Sequence, residues 1–506
     1  VTVLGSLAVR YAPAAAAVVI GAAAIGIDHA VPPDLHRAEQ LSARIDDAQG
    51  RLLRAFTTPD GIWRLPVTPK QVSPLYLRML VAYEDRRFRR HAGVSPRALV
   101  RAAWQWAWYG HIVSGGSTLT MQVARLLEPR PRTLWGKGLE MLRALQLEAH
   151  YSKDRILSLY LTLAPYGANL EGVRAASLAW FGKEPRHLTP GEAALLVALP
   201  QAPEAVRPDR FPRRARAARN KILREMVRVG VLSADRARAA MAEPVPTRRR
   251  PLPFEAPHAA RKLHRDSPGR RVVRTTLERP LQRALERLVA AEKPNIGDHA
   301  SIAVLVVDNK TRAIRAYVGS VDFFSTARDG NVDMVTAVRS PGSALKPFIY
   351  GLAFDLKLAH PLTMVNDSPT RFGNYRPENF ERVYFGQVTA RFALQNSLNV
   401  PAVAILNAVG PLRFAAHLRA AGTPLHLPNG KKPGLPIALG GAGFTLRDLV
   451  TLYTALANGG KVGPLRLRAD KPLAPARFRL VSRATAWQLA RILEQAPPPT
   501  DYVPAR

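Results

Sequence analysis

The sequence predicts a multidomain chain in which a helical domain precedes an α/β domain, both behind an apolar N-terminal helix. Three observations predict it. The 506 residues exceed what one ordinary core organises, so two or three domains are expected. Apolar residues recur at helical period from about Ser73 to Ala242, then give way to strand-like runs such as Ser301 to Val307. From Tyr11 to Ile27 the chain is uncharged and rich in Ala, Val and Ile.

Arg10 precedes that apolar stretch and Asp28-His29 follows it, so residues 1–30 read as an uncleaved signal anchor, with Arg10 cytoplasmic and the bulk outside. A buried alanine-rich helix of a soluble domain is the competing reading. Residues 31–72 form a connector, polar and helical from about Ala30 to Arg54 and extended from Gly61 to Pro66. The helical block occupies 73–243. Near its end Ile222, Met226, Val229 and Leu232 keep helical spacing, while Gly230 and Ser233-Ala234-Asp235 mark a break and a new N-cap.

Residues 244–299 read as a linker region. Pro244 to Pro268 is rich in Pro, Arg and His without periodicity; Arg271 to Leu277 alternates like a strand, and Gln282 to Ala291 is helical. The last domain, 300–506, opens with the run to Val307, a turn at Asp308-Asn309-Lys310, and a hairpin partner at Ala313 to Val318.

The formal charge of +35, from 73 Lys and Arg against 38 Asp and Glu, suits a nucleic-acid binder, a membrane-surface protein or an enzyme of polyanionic substrates. Arginine is spread along the whole chain beside no helix-turn-helix, zinc-finger or RNA-binding signature, which argues against nucleic acid. Without cysteine there is neither a disulfide framework nor a thiol nucleophile.

Val81 to Val94 reads Val-Ala-Tyr-Glu-Asp-Arg-Arg-Phe-Arg-Arg-His-Ala-Gly-Val. At helical period Leu77, Leu80, Val81, Glu84 and Phe88 share one face, which sets a carboxylate in an apolar stripe. An acid that has lost hydration takes up a proton more readily, so Glu84 is a candidate general base. The competing reading is that Glu84, Asp85, Arg87 and Arg89 make helix-surface pairs of small value. Further on come Gly115-Gly116-Ser117-Thr118 to Arg125 and Lys137-Gly138-Leu139-Glu140. Two carboxylates serve either glycoside hydrolysis or glycosyl transfer. Arg125, Lys137 and Arg143 supply the cations that a departing diphosphate needs, which favours transfer.

These stretches resemble the peptidoglycan glycosyltransferase domain that opens the class A penicillin-binding proteins. Its first motif, Glu-Asp-x-x-Phe-x-x-His-x-Gly, is matched by Glu84, Asp85, Phe88, His91 and Gly93. Lys153 to Leu157 with Tyr160-Leu161, Tyr166-Gly167 to Ala176, and Glu192 to Pro200 follow in order. The resemblance implies a lysozyme-like helical fold in which Glu84 deprotonates the 4-hydroxyl of an acceptor lipid II. Attack on the lipid-linked end of the growing glycan then proceeds with inversion. It assigns Glu140 to orienting the diphosphate or a divalent cation, Mg2+ or Mn2+, and assigns Ser117, Thr118, Gln122, Arg125 and Lys137 to substrate binding, with no organic cofactor. Asp85, also on the substrate side, holds a neighbouring base, and His91 and Gly93 are architectural, Gly93 as a helix-ending glycine. The family usually has Gln where this chain has Met121 and a basic residue where it has Gly136; both departures fall beside the expected diphosphate site.

Ser340 to Phe348 contains Ser343-x-x-Lys346, a spacing that on a helix brings hydroxyl and amine within mutual reach. Ser397-Leu398-Asn399 supplies a Ser-x-Asn, the second element of the serine β-lactamase and penicillin-binding pattern. Gly440-Gly441, Leu446 to Leu449 and Tyr453 also resemble that α/β transpeptidase domain. No Lys-Thr-Gly or Lys-Ser-Gly occurs, so the domain reads as incomplete, C-terminally truncated and poor at acylation. The implied partners are lipid II and growing glycan, membrane lipids, β-lactams and other wall-synthesis proteins, at the bacterial plasma membrane. The rival class is an envelope binding or structural protein with vestigial enzyme sites.

Overall fold

The computed structural model describes residues 30–97, 117–131, 133–428, 430–476 and 478–498, with Gly26, Asp28, Val100 and Trp104 besides. The anchor expected over 1–30 lies almost wholly outside the described residues, as do Gly115, Gly116 and everything after Pro498. Among the described residues no single helix is long and apolar enough to cross a membrane. A bent apolar pair, Asn399–Val409 with Pro411–Ala420, is core: Val403, Leu406 and Phe414 are fully buried.

The chain divides into two compact units, one of residues 1–43 and 55–252, the other of 44–54 and 253–506. The first is helical. Helix α1 (Pro74–Glu84) starts at a Ser73 cap with proline in its first turn and buries Tyr76, Met79 and Leu80. Helix α2 (Leu119–Leu127) is capped by Thr118, and α3 (Leu134–His150) by Thr133. Helix α4 (Lys153–Leu163) buries every residue from Leu159 to Leu163, which makes it a central element. Helix α5 (Val173–Phe181) enters at Gly172, whose φ is +85°; a Cβ there would lie 2.7 Å from the Thr162 carbonyl oxygen, so only glycine lets the chain pass α4. Helix α6 (Pro190–Ala198) opens with a Thr189/Glu192 capping box, and α7 (Pro212–Arg228) and α8 (Ala234–Ala242) follow, separated at Gly230 with Ser233 as the new cap. The extended piece at Trp63–Arg64 pairs in parallel with Leu170–Glu171.

The connector departs from expectation. Instead of a helix, residues 44–55 hold strands Arg44–Asp46 and Leu52–Ala55, behind a single helical turn at His36–Glu39. The Asp47 carboxylate accepts from the Gln49 and Arg51 amides at 2.9 and 2.8 Å and, with Gly50 at φ +83°, closes a tight turn. Arg44–Asp46 pairs in parallel with Val272–Arg274, giving a three-stranded sheet inside the second unit. The stretch read as an aperiodic linker also folds: α9 (Pro257–Arg265) buries His258, Ala259, Ala260 and Leu263. Its inward face is mostly alanine, too small to register as an apolar stripe.

Helix α10 (Arg279–Ala291) lies along strand Ile314–Val318, the antiparallel partner of Val304–Val307. The Gln282 amide donates to the Tyr317 carbonyl at 2.9 Å and accepts from its N–H at 2.7 Å, so a side chain serves as the strand's next neighbour. The main core of this unit packs α11 (Lys346–Asp355), α12 (Asn399–Val409), α13 (Leu446–Ala457) and α14 (Arg483–Glu494) around Ile349, Leu406, Leu452 and Leu489.

Candidate active sites

In the first unit α1 ends at Glu84, and Phe88 belongs to a separate 3-10 turn. Glu84 therefore does not stand in an apolar stripe with Phe88; it is half-buried at a helix end. Its Oε2 accepts from Gln122 Nε2 on α2 at 2.8 Å, and its Oε1 from Gln201 Nε2 at 3.0 Å. Close by, Tyr76 and Tyr166 share a 2.8 Å hydroxyl contact, and the Tyr160 hydroxyl is buried with no hydrogen-bond partner among the described residues. Burial above all pushes these three phenols up, and the Glu84 charge adds to it, so they stay protonated.

Asp85 turns away. Its carboxylate accepts from the Leu119 amide at 3.0 Å and meets His91 Nε2 at 2.9 Å, which ties the end of α1 to the start of α2. Thr118, expected to touch substrate, is buried: its hydroxyl accepts from the Met121 amide and donates to the Gly93 carbonyl. Asp85 thus holds His91, and the Thr118 hydroxyl is occupied with backbone groups. Gly93 does not end a helix; its φ is +87° and a Cβ would lie 2.5 Å from the Ala144 carbonyl oxygen.

A second group lies where α2 and α3 pack together. The Lys137 amine donates to Ser117 Oγ and, at 2.8 Å, to Glu140 Oε2. Arg125 sits one turn past Gln122 on α2, half-buried, with its charge felt at Tyr160. Arg143 is committed elsewhere, its guanidinium 3.0 Å from Glu128, and so drops out of the cationic set. The two departures also find reasons. Met121 is fully buried in the core rather than lining the site. Gly136 packs so closely that a Cβ would stand 2.5 Å from the Pro131 carbonyl oxygen, leaving no room for a basic side chain.

In the second unit Ser343 lies in a 3-10 turn, Gly342–Leu345, just ahead of α11, and is exposed at a cavity of about 590 Å³ lined also by Asn379, Phe380, Ser397 and Asn399. Lys346 is buried. Its amine donates to Asn399 Oδ1 at 2.7 Å, to Ser397 Oγ at 3.2 Å and to the Ser397 carbonyl, so its protons go to the Ser-x-Asn segment rather than to Ser343. Burial lowers the amine from 10.5 to about 8. Ser397 holds a φ of +55°, an uncommon backbone for serine that aims both its oxygens at the amine.

Two supporting residues, Asn379 and Gln201, escape a reading of the sequence, and a third, Tyr453, is read there without a role. Asn379 donates to the buried Asp367 carboxylate at 2.8 Å and accepts from the Asn399 amide at 2.9 Å, fixing the start of α12. Tyr453 donates to the Ala344 carbonyl at 3.1 Å, steadying the serine turn. Gln201 follows the last motif segment directly; its signal is a lone amide between Pro200 and Pro203.

Family models match two stretches: a transglycosylase over residues 49–227 and a penicillin-binding protein transpeptidase domain over 302–500. Penicillin-binding protein 1C of Escherichia coli (strain K12) is 48% identical over 494 residues, covering 97% of this chain and 64% of that protein. Penicillin-binding protein 1F of Bacillus subtilis (strain 168) is 29% identical, covering 90% and 66%. Penicillin-binding protein 1B of Vibrio cholerae is 33% identical, covering 79% and 54%. The chain thus spans about two thirds or less of each of these relatives.

Proposed function

The chain belongs to the bifunctional class A penicillin-binding proteins, and from that premise we propose that its first unit polymerises lipid II into glycan, with inversion at the donor. The observation that carries the reading is a carboxylate with a free edge, Glu84, in the same unit as a Ser117, Lys137 and Glu140 group suited to an anion. Glu84 takes the proton of the acceptor 4-hydroxyl as its oxygen bonds to the anomeric carbon of the donor. The bond to the lipid diphosphate breaks, and Lys137, Arg125 and the Ser117 hydroxyl stabilise the charge that leaves. A divalent cation arriving with the diphosphate would find one protein oxygen donor in Glu140, a set that fits a metal held mainly by phosphate. The rest of the chemistry belongs to the side chains.

For the second unit the reading is acyl transfer at Ser343, with Lys346 as base; the amine held at about 8 supports it. The protein works on the outer side of the bacterial plasma membrane, where lipid-linked substrate is presented. Incorporation of labelled lipid II into glycan by the purified chain tests the first reading. An absence of polymer beside intact fold would favour a binding or structural envelope protein, and shortening of finished glycan would favour a hydrolase.

A further inference from the structure

We infer that Gln201 is a positioning residue for the base, an inference that rests on the glycosyltransferase reading. Its amide nitrogen lies 3.0 Å from Glu84 Oε1, while Gln122 takes Oε2 at 2.8 Å. Each carboxylate oxygen accepts one N–H and keeps a lone pair for the acceptor hydroxyl. Both amides must present nitrogen, because an amide oxygen turned to the carboxylate would be repelled. With one clamp alone the carboxylate turns about its last torsion, which is soft in glutamate. With two, from elements far apart in sequence, its plane is fixed.

The segment carrying Gln201 is itself pinned. Leu199, two residues earlier, is fully buried at the end of α6, a helix packed on α1. Beyond it Glu204 accepts from the Ala168 amide at 2.6 Å, and Arg207 pairs with Asp209 at 2.8 Å. Gln201 is exposed, so its amide is free of core duties and its substitution spares the fold.

The test compares Gln201→Leu and Gln201→Glu with the unaltered chain in steady-state lipid II polymerisation. The expected result is a fall in kcat with KM nearly constant, roughly 10-fold for leucine and nearer 10²-fold for glutamate, which pushes an anionic oxygen against Glu84. Thermal midpoints should not move. A purely structural role would lower both variants alike together with their thermal midpoints, and that pattern overturns the inference. A second measurement stands without turnover: in protein carrying carboxyl-labelled glutamate, the Glu84 resonance, identified by its loss in Glu84→Gln, should move in Gln201→Leu. An unmoved resonance overturns the clamp even where polymerisation is seen. If the unaltered chain makes no polymer, the function reading falls while the resonance still decides the clamp.

Discussion

The two sites hold their proposed bases in opposite ways. Glu84 stands at a helix end, half-exposed, and is oriented by neutral donors on its two oxygens. Lys346 is drawn into the core, and its amine is fed only by neutral acceptors from Ser397 and Asn399. Among the described residues no counter-ion neutralises the amine, and burial lowers it to about 8. On the proposed roles, a base that receives a substrate's proton needs direction, whereas one that acts on a neighbouring serine needs its charge made costly.

The contrast can be broken most severely at Glu84. Glu84→Gln keeps the shape but removes the proton acceptor, and polymerisation should fall by ~10²–10⁴-fold with an unchanged thermal midpoint. Near-normal polymer in a gel assay would sink the assignment. At the other site the test is pH. Ser343-dependent labelling by a fluorescent penicillin should rise about 50-fold between pH 6 and pH 8 and level off above about pH 9, following the neutral amine. A flat profile would show that Lys346 is not the base. The same shift links to folding: the unfolded amine titrates at 10.5 and the folded one at about 8, so the second unit gains stability as pH rises between those values and Lys346→Met loses that dependence.

Two smaller changes sharpen the contrast by touching only the frame of the first site. Gly136→Lys restores a basic residue of the family pattern, yet its Cβ would meet the Pro131 carbonyl at 2.5 Å. Calorimetry should show a loss of roughly 1–3 kcal/mol, without tighter substrate binding. Thr118→Ala removes the cap of α2 and should cost about 1 kcal/mol. A selective rise in KM instead would return Thr118 to the substrate.

What the sequence discloses and what it hides follow from spacing. Glu84, Lys137 and Glu140 are legible because local motifs carry them, and the hairpin at 304–318 is legible from a turn between two apolar runs. Gln201 and Asn379, and the contact made by Tyr453, reach partners far away in the chain through single polar atoms that leave no periodic trace. Asp85 and Thr118 stand inside motifs and each also bonds a backbone amide at the start of α2, as a short polar side chain near a helix terminus does whatever the substrate. The connector misled because Asp47 to Arg51 is polar both as helix surface and as turn, and only pairing with Val272–Arg274 decides between them.

That pairing has a consequence in time. Residues 44–54 leave the ribosome early, but their partner strand and α9 are synthesised only after residue 253, once the first unit has passed. At 5–20 residues per second the delay is roughly 10–40 s. Through it a strand pair with Leu52 and Leu53 waits uncovered beside a domain that is already folding. The order of synthesis therefore makes the second unit complete itself around a segment laid down before most of the first, and cutting the gene at residue 252 would deprive it of that segment.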